Sequence, residues 1–365
     1  MQRVSILPLH GGHAPKWLFP RMVKLSKLIS DVIIRDYGEK ELISRLANPY
    51  WFQALSCAIG YDWHSSGTTT VTMGALKEAL NYNSSIFIAG GKGRQGTSTP
   101  EQIIQGLEYL SKQSRAEEYI RMSKLAAKID SALVYDDIGI YHHTFAFASN
   151  GDWCVVQQAM QGSTSNAIRF QIYSKEINKS DITNETNNGV SASKSTETMD
   201  LTFEKNKDIK SASLNAVNED ISAVMNIDRN IYKLPHRHAI LENIDMSKRA
   251  RETLKYANEM KPESYEQLLS IKGMGRKTLR SLALVSSLIY DKEASYRDPV
   301  MYSYNVGGKD GIPYPINLKE YDAVISALSE EIKSSEMGSD DSRKALQRLS
   351  SDLSRQYRLA GANDS

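Results

Sequence analysis

The sequence predicts an α+β fold: a mixed N-terminal domain with a β-hairpin and several helices, then a helical C-terminal part. Three observations predict it. Residues 19–37 repeat apolar side chains at helical spacing, with Met22, Leu25, Ile29, Val32 and Ile33 on one face. Residues 138–160 are two apolar runs rich in β-branched and aromatic residues, joined through Asn150-Gly151. Residues 264–288 place two amphipathic segments on either side of Gly273-Met274-Gly275.

The elements follow in chain order. Pro20 suits the first turn of the helix at 19–37, and Gly38 stops it. Asn48-Pro49 opens a second helix through Trp51, Leu55 and Ile59, since Asn caps and Pro fits the first helical position. A third helix is expected at 71–80 and a short strand at 85–89. The loop GGKGRQGTS (90–98) precedes a helix that Thr99 and Gln102 are expected to open as a capping box, with Pro100 at its first position. A two-residue type I′ turn at Asn150-Gly151 would pair Ala148 with Trp153, His143 with Gln158 and His142 with Ala159. Both hairpin faces are apolar except at one end, which predicts burial on both sides.

Residues 175–230 are rich in Lys, Ser, Thr, Asn and Glu, the composition of a mobile polar insert, with 178–197 its most mobile stretch. TMDLTF (198–203) is its one candidate strand. Residues 246–290 and 318–356 are helical by pattern. The expected organisation is therefore a core domain at 1–174, an insert at 175–230 and a helical part at 231–365.

Composition bounds the function. In 365 residues, 45 Lys and Arg face 43 Asp and Glu, a net charge of +2, which excludes a wholly basic, histone-like protein. Charge is local instead: residues 248–280 hold nine Lys and Arg against four Glu. Two cysteines, Cys57 and Cys154, make no disulfide framework and no CxxC, which fits a reducing cytoplasm. The N-terminus lacks the apolar region of a signal peptide, and no apolar run is long enough to span a membrane. A cytoplasmic protein without a membrane partner is expected.

The stretch Ile271-Lys272-Gly273-Met274-Gly275-Arg276-Lys277-Thr278-Leu279 resembles the helix-hairpin-helix of DNA-binding and DNA-repair proteins. Lys272 stands where that motif usually has Pro, and Leu279 where it usually has Ala. Glycines allow close approach of a phosphate, and the start of the second helix faces the anion. Gly273, Gly275, Arg276, Lys277 and Thr278 are the expected DNA-backbone contacts, which position without reading sequence. The resemblance implies DNA binding in a repair or processing role; the alternative is a non-enzymatic nucleic-acid-binding protein. In the glycosylase/lyase branch of such proteins, the lysine in the Lys277 slot is the catalytic amine and an Asp follows the second helix; here Asp298 lies 21 residues on.

Four further strings resemble the domain-of-unknown-function 763 family of archaea and some bacteria: LPLHGGHAPKWLFPRM (7–22), WFQALSCAIGYDWHSSGTTT (51–70), IYHHTFAFASNGDWCVVQQAM (140–160) and YSYNVGGKDGIPYP (302–315). The resemblance covers nearly the whole chain outside 175–230 and implies no settled activity.

Catalytic candidates come from histidine. His142, His143, Gln157 and Gln158 gather at one end of the hairpin, and His64 is a candidate to join them in one cavity. Histidine can bind metal or move protons near neutral pH, so the site reads either as that of a nuclease, with a divalent metal ion as the possible cofactor, or as a hydrogen-bonded His–Gln group that fixes strand register. His236-Arg237-His238 has a spacing that can chelate a metal on a strand, but it follows Pro235 beside the polar stretch; His10 and His13 form the remaining cluster, and metal is the lesser expectation. Two glycine loops carry lysine, Gly91-Lys92 and Gly308-Lys309, and are candidate phosphate cradles. Neither ends in GKS or GKT, so ATP hydrolysis has no support. Asp298, Lys309 and Asp310 form a candidate acidic and basic cluster.

Overall fold

A computed structural model describes residues 3–4, 6–8, 19–59, 66–134, 138–161, 166–177, 181–184, 189–190, 200–225, 247–290, 302–303 and 330. The architecture is α+β, as expected. Four helices lie in the first eighty residues: α1 (Phe19–Tyr37), α2 (Glu39–Ala47), α3 (Pro49–Ala58) and α4 (Ser66–Leu80). The cap at Asn48 forms as read, its Oδ1 accepting from Trp51 N at 3.2 Å. Helix α2 was not foreseen; Glu39 and Glu41 in its first turn suit the positive end of its dipole.

One antiparallel sheet follows. It holds β2 (Ile6–Pro8), β3 (Ile86–Lys92), β4 (Ile138–Ala148), β5 (Trp153–Gln161) and β6 (Asn166–Tyr173), in the order β2-β6-β5-β4-β3. The pair β7 (Gly189–Val190) also joins β6, and a separate parallel pair links β1 (Arg3–Val4) to β8 (Tyr302–Ser303). Helices α1–α4 cover one face of the sheet, packing Ile29, Phe52, Leu55 and Leu76 with Ile86, Ile88, Ala146, Cys154 and Val156. The other face packs Phe87, Phe145, Phe147, Trp153 and Val155. Against it lie α6 (Thr99–Tyr109), α7 (Ala116–Ile129) and a π-helical turn at Asp130–Val134. The hairpin is thus buried on both sides, as its apolar faces predict.

Its register differs from the expected one. Gly151 N donates to Ala148 O at 3.0 Å and Ala148 N to Asp152 O at 2.9 Å, so three residues form the loop. Only Gly151 takes a positive φ, at 98°. Asn150 keeps an ordinary conformation because its side-chain Oδ1 accepts from Asp152 N at 2.9 Å. Glu39 holds the loop from outside, accepting from Ser149 Oγ at 2.8 Å. From His142 to Phe147 each β5 partner therefore moves by one: Phe147 faces Trp153, His143 faces Gln157 and His142 faces Gln158.

Two further expectations change. The strand at 85–89 runs on to Lys92, followed by the short α5 (Arg94–Thr97). The capping box does not form, because Gln102 is drawn to the sheet: its Oε1 accepts from Gly90 N at 2.9 Å and from Lys77 Nζ at 2.5 Å.

The stretch read as a polar insert contains α8 (Lys207–Asn218) and α9 (Ile221–Met225). Ile209, Ala212, Ala216 and Val217 are its buried stripe, spaced at three, four and seven and hidden by the surrounding polar composition. Of TMDLTF, the described residues Asp200–Phe203 form a turn and not a strand, with Asp200 Oδ1 accepting from Thr202 N and Oγ1 at 2.8 and 2.6 Å. Most of 178–197 and nearly all of 318–356 lie outside the described residues. The chain then forms α10 (Lys248–Met260), α11 (Tyr265–Ser270) and α12 (Arg276–Tyr290). Their buried residues share one cluster with α8 and the sheet, so the core runs across the boundaries suggested at 174 and 230.

Burial raises the Asp200 carboxyl to about 6, against the two Thr202 hydrogen bonds that lower it. An acid whose folded pKa is raised stabilises the fold below its unfolded pKa, and that stability is lost as pH rises through about 6. Asp200→Asn keeps the acceptor and removes the buried charge. Urea unfolding at pH 8 should show it more stable than wild type by on the order of 1–2 kcal/mol, and a variant no more stable would contradict a buried charge there.

Candidate functional site

Two places combine the expected residue types. The first is the hairpin between α11 and α12. Ser264 caps α11, its side chain accepting from Gln267 N at 3.2 Å. The chain turns at Ile271–Gly275, with Met274 N donating to Ile271 O at 3.1 Å, and Leu279 N donating to Gly275 O at 3.0 Å begins the ladder of α12. Gly273 has φ of 91°, and a Cβ there would lie 2.8 Å from Thr253 Oγ1. At Gly275 a Cβ would meet only Gly273 O, at 3.9 Å.

Ile271, Met274, Leu279 and Leu282 are buried, while Lys272, Gly273, Gly275 and Lys277 are exposed at the apex. Arg276 is partly exposed. Thr278 is turned inward beside Leu279, at 7% exposure, so it is not a surface contact. The hairpin is held to the rest of the fold by α7: Lys128 Nζ donates to Leu269 O at 2.6 Å and Ile271 O at 3.1 Å, and Arg121 pairs with Glu266.

The second place is the strand end carrying the histidines. Because adjacent residues of a strand point to opposite faces, the four expected site residues divide into two pairs. His143 and Gln157 face α7. His143 Nδ1–H donates to Gln157 Oε1 at 2.7 Å, and Ser123 Oγ–H donates to His143 Nε2 at 2.8 Å. Gln157 Nε2 donates to Ala126 O at 3.1 Å and to the buried Asp130 carboxylate. Burial lowers the His143 pKa, partly opposed by the Gln157 hydrogen bond, so the ring is neutral. Both nitrogens are satisfied, so His143 and Gln157 form a closed, buried hydrogen-bonded group.

His142 and Gln158 face α1–α4 instead. His142 is 2% exposed, and neither ring nitrogen has a partner among the described residues. Burial, with repulsion from His143, Lys77 and Lys92, lowers its pKa to about 3. Gln158 Nε2 donates to Tyr141 Oη. The four residues therefore do not line one cavity.

The Gly90–Gly96 stretch is no open phosphate cradle. Gly90 N is taken by Gln102, Gly93 N donates to Tyr141 O at 2.9 Å, and Gly96 N to Gly93 O at 3.0 Å. Gly91 is buried within β3, and Lys92 is exposed at its end. His64, Asp298, Gly308, Lys309 and Asp310 lie outside the described residues, as do His10, His13, His236 and His238. Among the described residues, no group of three or more His, Cys, Asp or Glu is placed to hold a metal ion, and no helix is long and apolar enough to cross a membrane.

Sequence reasoning missed Arg169 and Lys77. Arg169 is 2% exposed, donating from Nε to Gln171 Oε1 at 3.1 Å and from Nη2 to Pro49 O at 3.4 Å. The signal was an arginine inside the apolar alternation NAIRFQIY, now β6.

A family model described as "Protein of unknown function (DUF763)" matches residues 3–316. Neither the curated proteins nor the solved structures compared with the chain gave a match.

Proposed function

Since the chain belongs to the DUF763 family, whose description assigns no activity, we propose from its own geometry that it binds the DNA backbone through a helix-hairpin-helix at 264–288, in a repair or processing role. The observation that carries this reading is the hairpin apex. Lys272, Gly273, Gly275 and Lys277 are exposed together where α12 begins, above a buried base of Ile271, Met274 and Leu279. The first turn of a helix directs unbonded N–H groups outward, and the dipole favours an anion there. The open space at Gly275 admits a phosphate oxygen to within hydrogen-bond reach of the backbone. The surplus of nine Lys and Arg over four Glu in 248–280 supplies the long-range attraction.

Anisotropy of labelled duplex and single-stranded DNA tests this. Gly275→Val adds a side chain into open space, so the fold should hold while affinity for every DNA sequence falls roughly tenfold, about 1.4 kcal/mol. Lys277→Ala should weaken binding modestly and make the slope of log K against log salt shallower by about 0.7–0.9. Gly273→Val should instead lower stability, by roughly 1–3 kcal/mol, because its φ is left-handed and Thr253 is in the way. Unchanged affinity and slope in both Gly275→Val and Lys277→Ala would leave the hairpin a plain structural helix pair.

A further inference from the structure

The DNA-backbone reading makes no use of the polar row on the other side of the molecule. Lys92, His142, Gln158 and Arg169 are successive register partners across β3, β4, β5 and β6. Register partners share a face, with Cβ atoms roughly 5 Å apart. The row therefore crosses four strands on the face that α1–α4 cover.

Its charges are unbalanced. Among the described residues the buried Arg169 guanidinium donates only to the neutral oxygens of Gln171 and Pro49, and it stacks on the Phe52 ring, 4.7 Å from its centre. Among the described residues Arg169 Nη1 has no partner. Lys77 likewise donates, among the described residues, to neutral oxygens, Gly90 O at 2.6 Å and Gln102 Oε1 at 2.5 Å. No carboxylate among the described residues pairs with either cation. Buried charges are ordinarily paired, and buried polar atoms ordinarily bonded. Here a guanidinium N–H and an imidazole, both nine-tenths buried or more, lack what each requires.

The row lies near one end of the sheet. There Gly139 is exposed, Ile140 and Tyr141 are half-buried, and Met160 is 39% exposed. Lys92 is exposed at the end of β3. The opposite end is closed by the Ser149–Gly151 loop.

We propose that this row is a binding site for a small oxyanion, a phosphate or carboxylate group, held by Arg169 Nη1 and an N–H of His142, with Lys92 at the mouth and Lys77 adding charge from α4. Arginine suits planar recognition of either group, and an anion offsets the positive charge that Lys77 and Lys92 place around His142. The site is independent of the 271–277 hairpin, on which the DNA reading rests.

The test uses the full chain in chloride buffer at constant ionic strength. Inorganic phosphate and acetate are titrated separately, following the melting temperature and the His142 imidazole resonances. The expected result is a saturable rise in melting temperature with one of them, together with a shift of the His142 resonances. Arg169→Gln should abolish the rise. If that variant does not fold, the exposed Lys92→Ala should weaken apparent affinity at least threefold, by the loss of one charge near the anion. The response should persist in Gly275→Val, and DNA affinity should persist in Lys92→Ala, which separates the two sites. A rise with phosphate alone would identify a phosphoryl ligand, and a rise with acetate a carboxylate. No saturable response to either anion in the wild-type chain overturns the proposal. So does a response that is unchanged in both Lys92→Ala and His142→Gln.

Discussion

Acidification should unfold this protein through its two buried histidines. His142 is held at about 3 and His143 is also lowered, both chiefly by burial. A histidine whose folded pKa lies below its unfolded value of about 6.5 holds fewer protons folded than unfolded. Its contribution to stability is fully present above about pH 6.5 and is lost as pH falls toward the folded value. Each such group costs up to about 1.4 kcal/mol per pH unit in that window. Asp200 acts in the opposite sense, because the folded chain takes up a proton there as pH falls through about 6. Two histidines against one carboxyl leave a net loss on acidification. Urea unfolding at pH 8, 7, 6 and 5 should show it, with His142→Gln flattening the slope by about one proton and Asp200→Asn steepening it. Equal pH slopes for wild type and His142→Gln would mean that the ring is solvated and protonates freely in the folded chain.

Gln157→Leu should be among the most damaging conservative changes in the core. Leucine fits the volume but bonds to nothing. The His143 Nδ1–H loses its acceptor, and Ala126 O and the Asp130 carboxylate lose a donor. Stranding several buried polar groups at once costs roughly 2–4 kcal/mol. Chemical denaturation at pH 8 measures it, away from the histidine titration. A loss below about 0.5 kcal/mol would show that the network is not needed. Such a result would reopen a chemical role for His143.

Local chemistry made much of this fold legible. Helix α1, the Asn48 cap, the hairpin with both faces buried and the turn at Gly273 each depend on neighbours within a few residues. What was not legible depends on distant partners. Gln102 satisfies a capping pattern three residues from Thr99, yet a lysine on α4 and an amide of β3 claim its side chain. The stripe of α8 was lost in the average composition of the polar stretch around it. Arg169 reads as an ordinary outward residue of a strand until α3 is placed over it, bringing Pro49 O and the Phe52 ring. The histidine cluster and its split between the two faces were visible, but which glutamine joins each histidine was not, because that turns on a single residue of register.

The three-residue loop at Ser149–Gly151 thereby acts as a parity setting for the molecule. The residues of β5 alternate between two chemical layers, one that wires Gln157 to Asp130 and one that sets Gln158 beside Arg169. An odd change in loop length would exchange the layers, burying Trp153 where Cys154 belongs and handing each histidine the other's glutamine. An even change would preserve them. Length variation at this turn should therefore be tolerated in steps of two and rejected in steps of one, although the loop itself touches neither histidine.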